Sequence, residues 1–152
     1  MITRMNHVSF TVSDLDRSIA FYRDALGLEL KGRWSRNGEF VSHVIGMPDA
    51  RLEIAMLGAS NCMVELIQYV APQGVKIDTR TCNVGSAHVC FNVDDFEGMV
   101  GRVIAGGGRL VGRPALVPSG MNQGRFAVYL EDPDDNTIEF ISAQPVEQPR
   151  SA

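Results

Sequence analysis

His7-Val8-Ser9-Phe10-Thr11-Val12-Ser13-Asp14-Leu15 and His88-Val89-Cys90-Phe91-Asn92-Val93-Asp94-Asp95-Phe96 follow one pattern written twice. In register they share His, Val, Phe, Val and Asp, and Leu15 stands opposite Phe96 as one apolar residue for another. A repeat at this scale indicates one supersecondary unit used twice. Each run alternates apolar and polar residues, the period of a half-buried strand. Val8, Phe10 and Val12 share one face, with His7, Ser9 and Thr11 on the other. Val89, Phe91 and Val93 likewise oppose His88, Cys90 and Asn92. The apolar faces are expected to cover helices and the opposite faces to line a cavity.

Beyond the strands the period changes. Leu15, Ile19, Tyr22 and Leu26 lie on one face of a helix, expected from about Asp14 to Leu26 and stopped by Gly27. Ser13 with Asp16 resembles a capping box at its start. Phe96, Val100 and Val103 repeat the stripe over about Asp95 to Ala105, before Gly106-Gly107-Gly108. Each half then has room for three strands. The first half places them at about Leu28–Arg33, Arg51–Leu57 and Met63–Ile67, and the second at about Arg109–Val111, Arg125–Leu130 and Thr137–Ile141. The fold class is therefore α+β, with two tandem β-α-β-β-β modules at 1–70 and 86–143, a linker at 71–85 and a disordered tail at 144–152. Ser35 to Ala50 reads as irregular, and Pro114 to Asn122 as a mobile loop.

Composition narrows the function. The chain has 152 residues, 45% hydrophobic and 21% charged, with a net charge of -4, which is ordinary for a globular domain. Its basic residues do not cluster, against nucleic-acid binding. Its apolar stretches are too short to span a membrane, and residues 1–4 lack the apolar core of a signal peptide. Cys62, Cys82 and Cys90 form no paired motif, which suits reduced thiols in the cytoplasm.

Glu65 and Glu139 hold the same place in the two halves, the centre of Met63-Val64-Glu65-Leu66-Ile67 and of Thr137-Ile138-Glu139-Phe140-Ile141. A carboxylate inside such a strand needs a cation or several donors unless it faces water. A histidine opening a strand is, on its own, as often structural as functional. Four such residues at matching positions have one common explanation, a divalent metal held by His7, Glu65, His88 and Glu139, with nitrogen and oxygen donors suited to Zn, Ni, Co, Mn or Fe. His43 has no repeat partner and is expected at the surface or near substrate. Arg125 and Tyr129 share a strand face with Ala127 and are candidates for substrate contact or for the surface.

From about Arg4 to Ala143 the chain resembles the vicinal oxygen chelate superfamily, which includes glyoxalase I, methylmalonyl-CoA epimerase, extradiol dioxygenases, and fosfomycin- and bleomycin-resistance proteins. The resemblance is carried by N-H-V-S-F-T-V-S-D-L, F-Y-R-D-A-L-G-L, V-E-L, A-H-V-C-F-N-V-D-D and D-P-D-D-N-T-I-E-F. It implies modules paired into a curved open sheet around a metal, ligands at His7, Glu65, His88 and Glu139, a small-molecule substrate and a homodimer. It points first to a metal-dependent isomerase or lyase that moves a proton next to a carbonyl, with Glu139 or Glu65 as base. Alternatives are an Fe(II) extradiol-type dioxygenase, which has no use for Glu65, and a protein that sequesters an antibiotic or metabolite. Thr11 and Tyr69 stand where bacterial glyoxalase I typically has Arg and Asn for glutathione, and Asp135 stands where Gly is usual.

Overall fold

A computed structural model describes residues 1–146, and the expected tail lies outside the described residues from position 147. The chain forms two units, Met1–Ile77 and a second from Asp78 onward. Within the expected tail, Val146 N donates to Gly124 O at 2.8 Å.

The first unit runs β1 (Val8–Thr11), α1 (Leu15–Ala20), β2 (Glu29–Arg36), α2 (Glu39–Ile45), β3 (Arg51–Ala59) and β4 (Cys62–Ala71). Its sheet has the order β1-β4-β3-β2, with β1 parallel to β4 and the other pairs antiparallel. Asp14, not Ser13, caps α1: its carboxylate accepts from Arg17 N at 3.0 Å. Ser13 Oγ instead accepts from the Arg17 guanidinium, and Asp16 pairs with Arg33, so the expected capping box does not form. Past Ala20 the helix widens into a π turn over Phe21–Ala25, where Leu26 N reaches back to Phe21 O, and Gly27 at φ 74° ends it.

The expected helical stripe is the buried one. Leu15, Ile19 and Tyr22 are buried, as are Ala55, Leu57, Val64 and Leu66, and α1 packs on β3 and β4. Tyr22 is fully enclosed, with Phe21 edge-on against it at 5.4 Å between centroids. Truncating such a ring typically costs about 3–5 kcal/mol.

The second unit runs β5 (His88–Val93), α3 (Phe96–Ala105), β6 (Arg109–Leu110), β7 (Ala115–Leu116), β8 (Phe126–Glu131) and β9 (Thr137–Ser142). The sheet order is β5-β9-β8-β6, and β7 also pairs with β8. Asp95 caps α3 by accepting from Gly98 N, as Asp14 does in the first unit. Val93, Phe96, Val103, Val128, Leu130, Ile138 and Phe140 are buried.

Two segments are more ordered than their sequence suggests. The stretch expected to be irregular contains α2, bracketed by Gly38 at φ 82° and Gly46 at φ 70°. Its Val41 is buried with Ala50, Leu52 and Ile54, against Trp34, Ile45, Ile67 and Tyr69. The expected mobile loop contains β7, and Val117 N donates to Arg125 O at 2.9 Å. In the turn before β9, Asp135 takes φ 69°, the left-handed region that favours glycine. Among the described residues no helix is long and apolar enough to cross a membrane.

Candidate metal centre

The sheet registers bring each histidine to the glutamate of its own unit. In the first, Val8 pairs with Val64 and Ser9 with Glu65, so the residue before the strand, His7, overhangs the carboxylate. His7 Nε2 lies 3.4 Å from Glu65 Oε2. In the second, Cys90 pairs with Glu139, the same register, and His88 Nε2 lies 3.2 Å from Glu139 Oε2. The neighbours Val64, Leu66, Ile138 and Phe140 are buried on the helix side of their sheets, so parity turns both glutamates to the other face. Their side chains are 15% and 18% exposed, and those of the histidines 35% and 38%. Each carboxylate is thus largely withdrawn from water while its imidazole stays reachable.

The surroundings of the two pairs differ. His7 Nδ1 lies 2.8 Å from Asn6 Oδ1. Donation from Nδ1 to that oxygen leaves the Nε2 lone pair free, the tautomer that ligation requires. Asn6 carried no signal in the sequence beyond standing next to His7. His88 instead has Tyr129 beside it, with ring centroids 4.9 Å apart and the phenol oxygen 3.5 Å from Nε2. Tyr129 also faces Glu139 across β8 and β9. Burial, and then the charge of Glu139, raise the Tyr129 phenol above its ordinary pKa, and a phenol is a protonated donor at neutral pH. The Cys90 thiol is pushed up to about 12, first by burial and then by the charge and hydrogen bond of Glu139. It is therefore a thiol and not a nucleophilic thiolate.

The remaining candidates resolve plainly. His43 sits on the exposed side of α2, 3.9 Å from Glu39 and 74% exposed, a surface residue. Arg125 donates to Ser142 O at 3.3 Å, which ties down the strand end. Cys62 and Cys82 are free thiols. Tyr69, at one of the two positions compared with glutathione-binding residues, packs in the cluster under α2.

Among the described residues no three His, Cys, Asp or Glu side chains gather into one metal-binding cluster. Each unit holds one imidazole beside one carboxylate, two of the four donors expected from the sequence. The chemistry of that set suits a divalent cation. Both carboxylates are paired with imidazole nitrogen and not with Lys or Arg, and neutral imidazole with carboxylate is a common ligand combination.

Comparison with known proteins shows the family. Residues 4–140 match the model of the Glyoxalase/Bleomycin resistance protein/Dioxygenase superfamily. The chain is 31% identical to a lactoylglutathione lyase of Haemophilus influenzae over 139 residues, 89% of each chain. It is 29% identical to a lactoylglutathione lyase of Arabidopsis thaliana, covering 96% of this chain and 46% of that one, so it spans about half the length of the plant relative. Proteins named as epimerases match as well. The crystal structure of a glyoxalase family protein from Bacillus cereus superposes with a TM-score of 0.79 at 29% identity, over 93% of this chain and 95% of that one. By sequence and fold, the chain belongs to the glyoxalase/bleomycin resistance protein/dioxygenase superfamily.

Proposed function

We propose that this protein is a metal-dependent lyase or isomerase that moves a proton next to the carbonyl of a small metabolite or thioester. The observation that carries the reading is the pair of His–Glu contacts, 3.4 and 3.2 Å, at the same register position in both units. His7, Glu65, His88 and Glu139 would hold one divalent ion, with Zn, Ni, Co or Mn favoured over Fe by the second carboxylate. The set is supplied by one chain or by two chains of a homodimer, in the cytoplasm. Relatives named as lyases and epimerases support the reaction class.

When bound, such an ion polarises a carbonyl oxygen and offsets the negative charge left by loss of the neighbouring proton. The chain's own groups do the rest. A glutamate within hydrogen-bond reach of the substrate's acidic carbon takes the proton and returns it, and Glu65 and Glu139 are the two carboxylates placed for this. Tyr129, protonated beside His88, is a donor for a substrate oxygen. Asn6 holds the His7 ring in its ligating tautomer.

Metal content of the wild type and Glu139→Gln, purified identically and measured by plasma mass spectrometry, tests the reading. It predicts about one divalent ion per four-donor set in the wild type and its loss in the variant. No metal in either protein, even after reconstitution, refutes it and favours a ligand-sequestering protein. Iron with oxygen consumption on a catechol would move the assignment to ring cleavage.

A further inference from the structure

The open face of the first sheet carries a feature that metal ligation does not use. One row crosses this sheet in register: Ser9 faces Glu65, Glu65 faces Met56, and Met56 faces Gly32. At Gly32 a Cβ would stand only 2.8 Å from Cζ3 of Trp34 and 3.4 Å from its Cε3. The indole of Trp34 therefore lies back over Gly32, in the row of Met56 and Glu65. With strands spaced by about 4.8 Å, this puts the ring within about 10 Å of the carboxylate. Met56, half-buried, lies between them, and half-buried Ile67 follows Glu65 by two residues on the same face of β4.

Part of this surface is explained by packing, since Trp34 and Ile67 border the cluster that seats α2 and the Arg36 guanidinium lies over the Trp34 ring, 5.4 Å from its centroid. Met56 lies outside that cluster and still separates the carboxylate from the indole. The second unit differs at this position, where the cross-strand neighbour of Glu139 is the phenol of Tyr129.

We infer that Met56, Trp34 and Ile67 bind an apolar substituent of the substrate, an aryl or branched alkyl group joined to the carbonyl that the His7–Glu65 pair serves. The inference rests on the proposed metal role of that pair. It makes Gly32 a positioning residue, because any side chain there lifts the indole out of the row.

Hydroxamates test this, because they chelate divalent metals through two oxygens whatever group they carry. The chain has one tryptophan, so Trp34 emission reports directly on the surface. In Zn(II)-reconstituted protein, benzohydroxamate is expected to bind about tenfold more tightly than acetohydroxamate and to change Trp34 emission, from burial of the phenyl group. Gly32→Ala and Met56→Ser, verified as folded by circular dichroism, should each remove most of that preference while acetohydroxamate still binds. Equal affinity for the two probes with unmoved emission, or a preference that survives both variants, overturns the apolar surface and leaves the metal reading standing. Failure of either probe to bind a protein that takes up no Zn(II) overturns the metal reading, and this inference with it.

Discussion

The two units share a frame and differ in what surrounds it. In both, a strand enters a helix through an Asp cap, a histidine at the strand start leans over a glutamate, and the residue two beyond the histidine faces that glutamate. Around this frame the first unit places Ser9, Met56 and an Asn6-anchored imidazole, and the second places Cys90, Tyr129 and an imidazole tilted against the Tyr129 ring. Under the proposed metal reading ligand geometry tolerates little change, since the donors must meet one ion. On that reading the neighbours are free to diverge, and their divergence would let each unit treat a substrate differently. The first unit's neighbours are apolar where the second's include a phenolic donor.

The largest expected effect comes from treating the two glutamates as different. Glu65→Gln and Glu139→Gln each remove a charged ligand, and both should lower metal affinity by more than the roughly 10–100-fold that loss of an outer-shell partner costs. Proton exchange separates them. With metal held saturating, the variant that has lost the base should exchange the substrate's acidic proton with deuterated water about 10²–10⁴-fold more slowly than the other. Equal losses in both would mean that neither carboxylate is specialised, and the asymmetry of their surroundings would then concern binding alone.

The connections into the glutamate strands offer the next contrast. In the first unit β3 turns directly into β4 through Ser60-Asn61. In the second, Asp132 is buried, and its Oδ1 accepts from Asp134 N and Asn136 N, both at 2.8 Å, while Oδ2 accepts from Asn136 Nδ2 at 2.9 Å. Asp132→Ala leaves two backbone donors without that carboxylate and should destabilise the protein by about 3 kcal/mol. Hydrogen exchange should show the loss in β8 and β9 while β3 and β4 keep their protection. Uniform loss across both units would show that they unfold together.

Much of this was legible in the sequence. The matching places of His7 and His88, and of Glu65 and Glu139, followed from the internal repeat and strand parity, while the register that brings each histidine to its glutamate came with the structure. The α1 and α3 stripes were clear because each has two or more turns of apolar period. What was missed lacked period or was nonlocal. Seven-residue α2 shows two apolar pairs, Val41 with Ile45 and Phe40 with Val44, so no single stripe marks a buried face. Two-residue β7 is set by pairing to β8 and not by its own residues. The cap was misread by one position because Ser13 and Asp14 are both good caps, and only tertiary geometry chose between them. The burial of Asp132 carried no signal in the sequence.

A smaller effect is expected from Tyr129→Phe. The ring contact with His88 survives and only the hydroxyl is lost, so folding and metal content should stay near wild type. If the phenol donates to a substrate oxygen, kcat/KM should fall by about tenfold, or ~1.4 kcal/mol of transition-state stabilisation. Met56→Tyr would probe the reverse by placing a phenol beside Glu65. Unchanged kinetics in Tyr129→Phe would reduce Tyr129 to a packing partner of His88.

The smallest effect should come from making the two rows alike at the position facing the glutamate. Cys90 corresponds to Ser9, and its thiol, held up to about 12 by burial and by Glu139, is protonated at every ordinary working pH. Because this folded-state value stands above that of an unfolded thiol, about 8.5, the thiol favours the folded state below that pH. The contribution is lost as pH rises from about 8.5 toward about 12. Cys90→Ser keeps a small donor next to the carboxylate, so stability at pH 7 should change by no more than about 0.5 kcal/mol, with metal content unchanged. Wild type should lose stability more steeply than the variant above about pH 9, seen as a steeper fall in urea midpoint. In metal-free protein at pH 8, Cys90, although exposed, should react with iodoacetamide at least about 100-fold more slowly than a thiol of ordinary pKa, since its thiolate is scarce. Rapid alkylation of Cys90 would mean that Glu139 does not hold its proton, and the second unit's row would then be chemically closer to a nucleophile site than to the first unit's quiet serine.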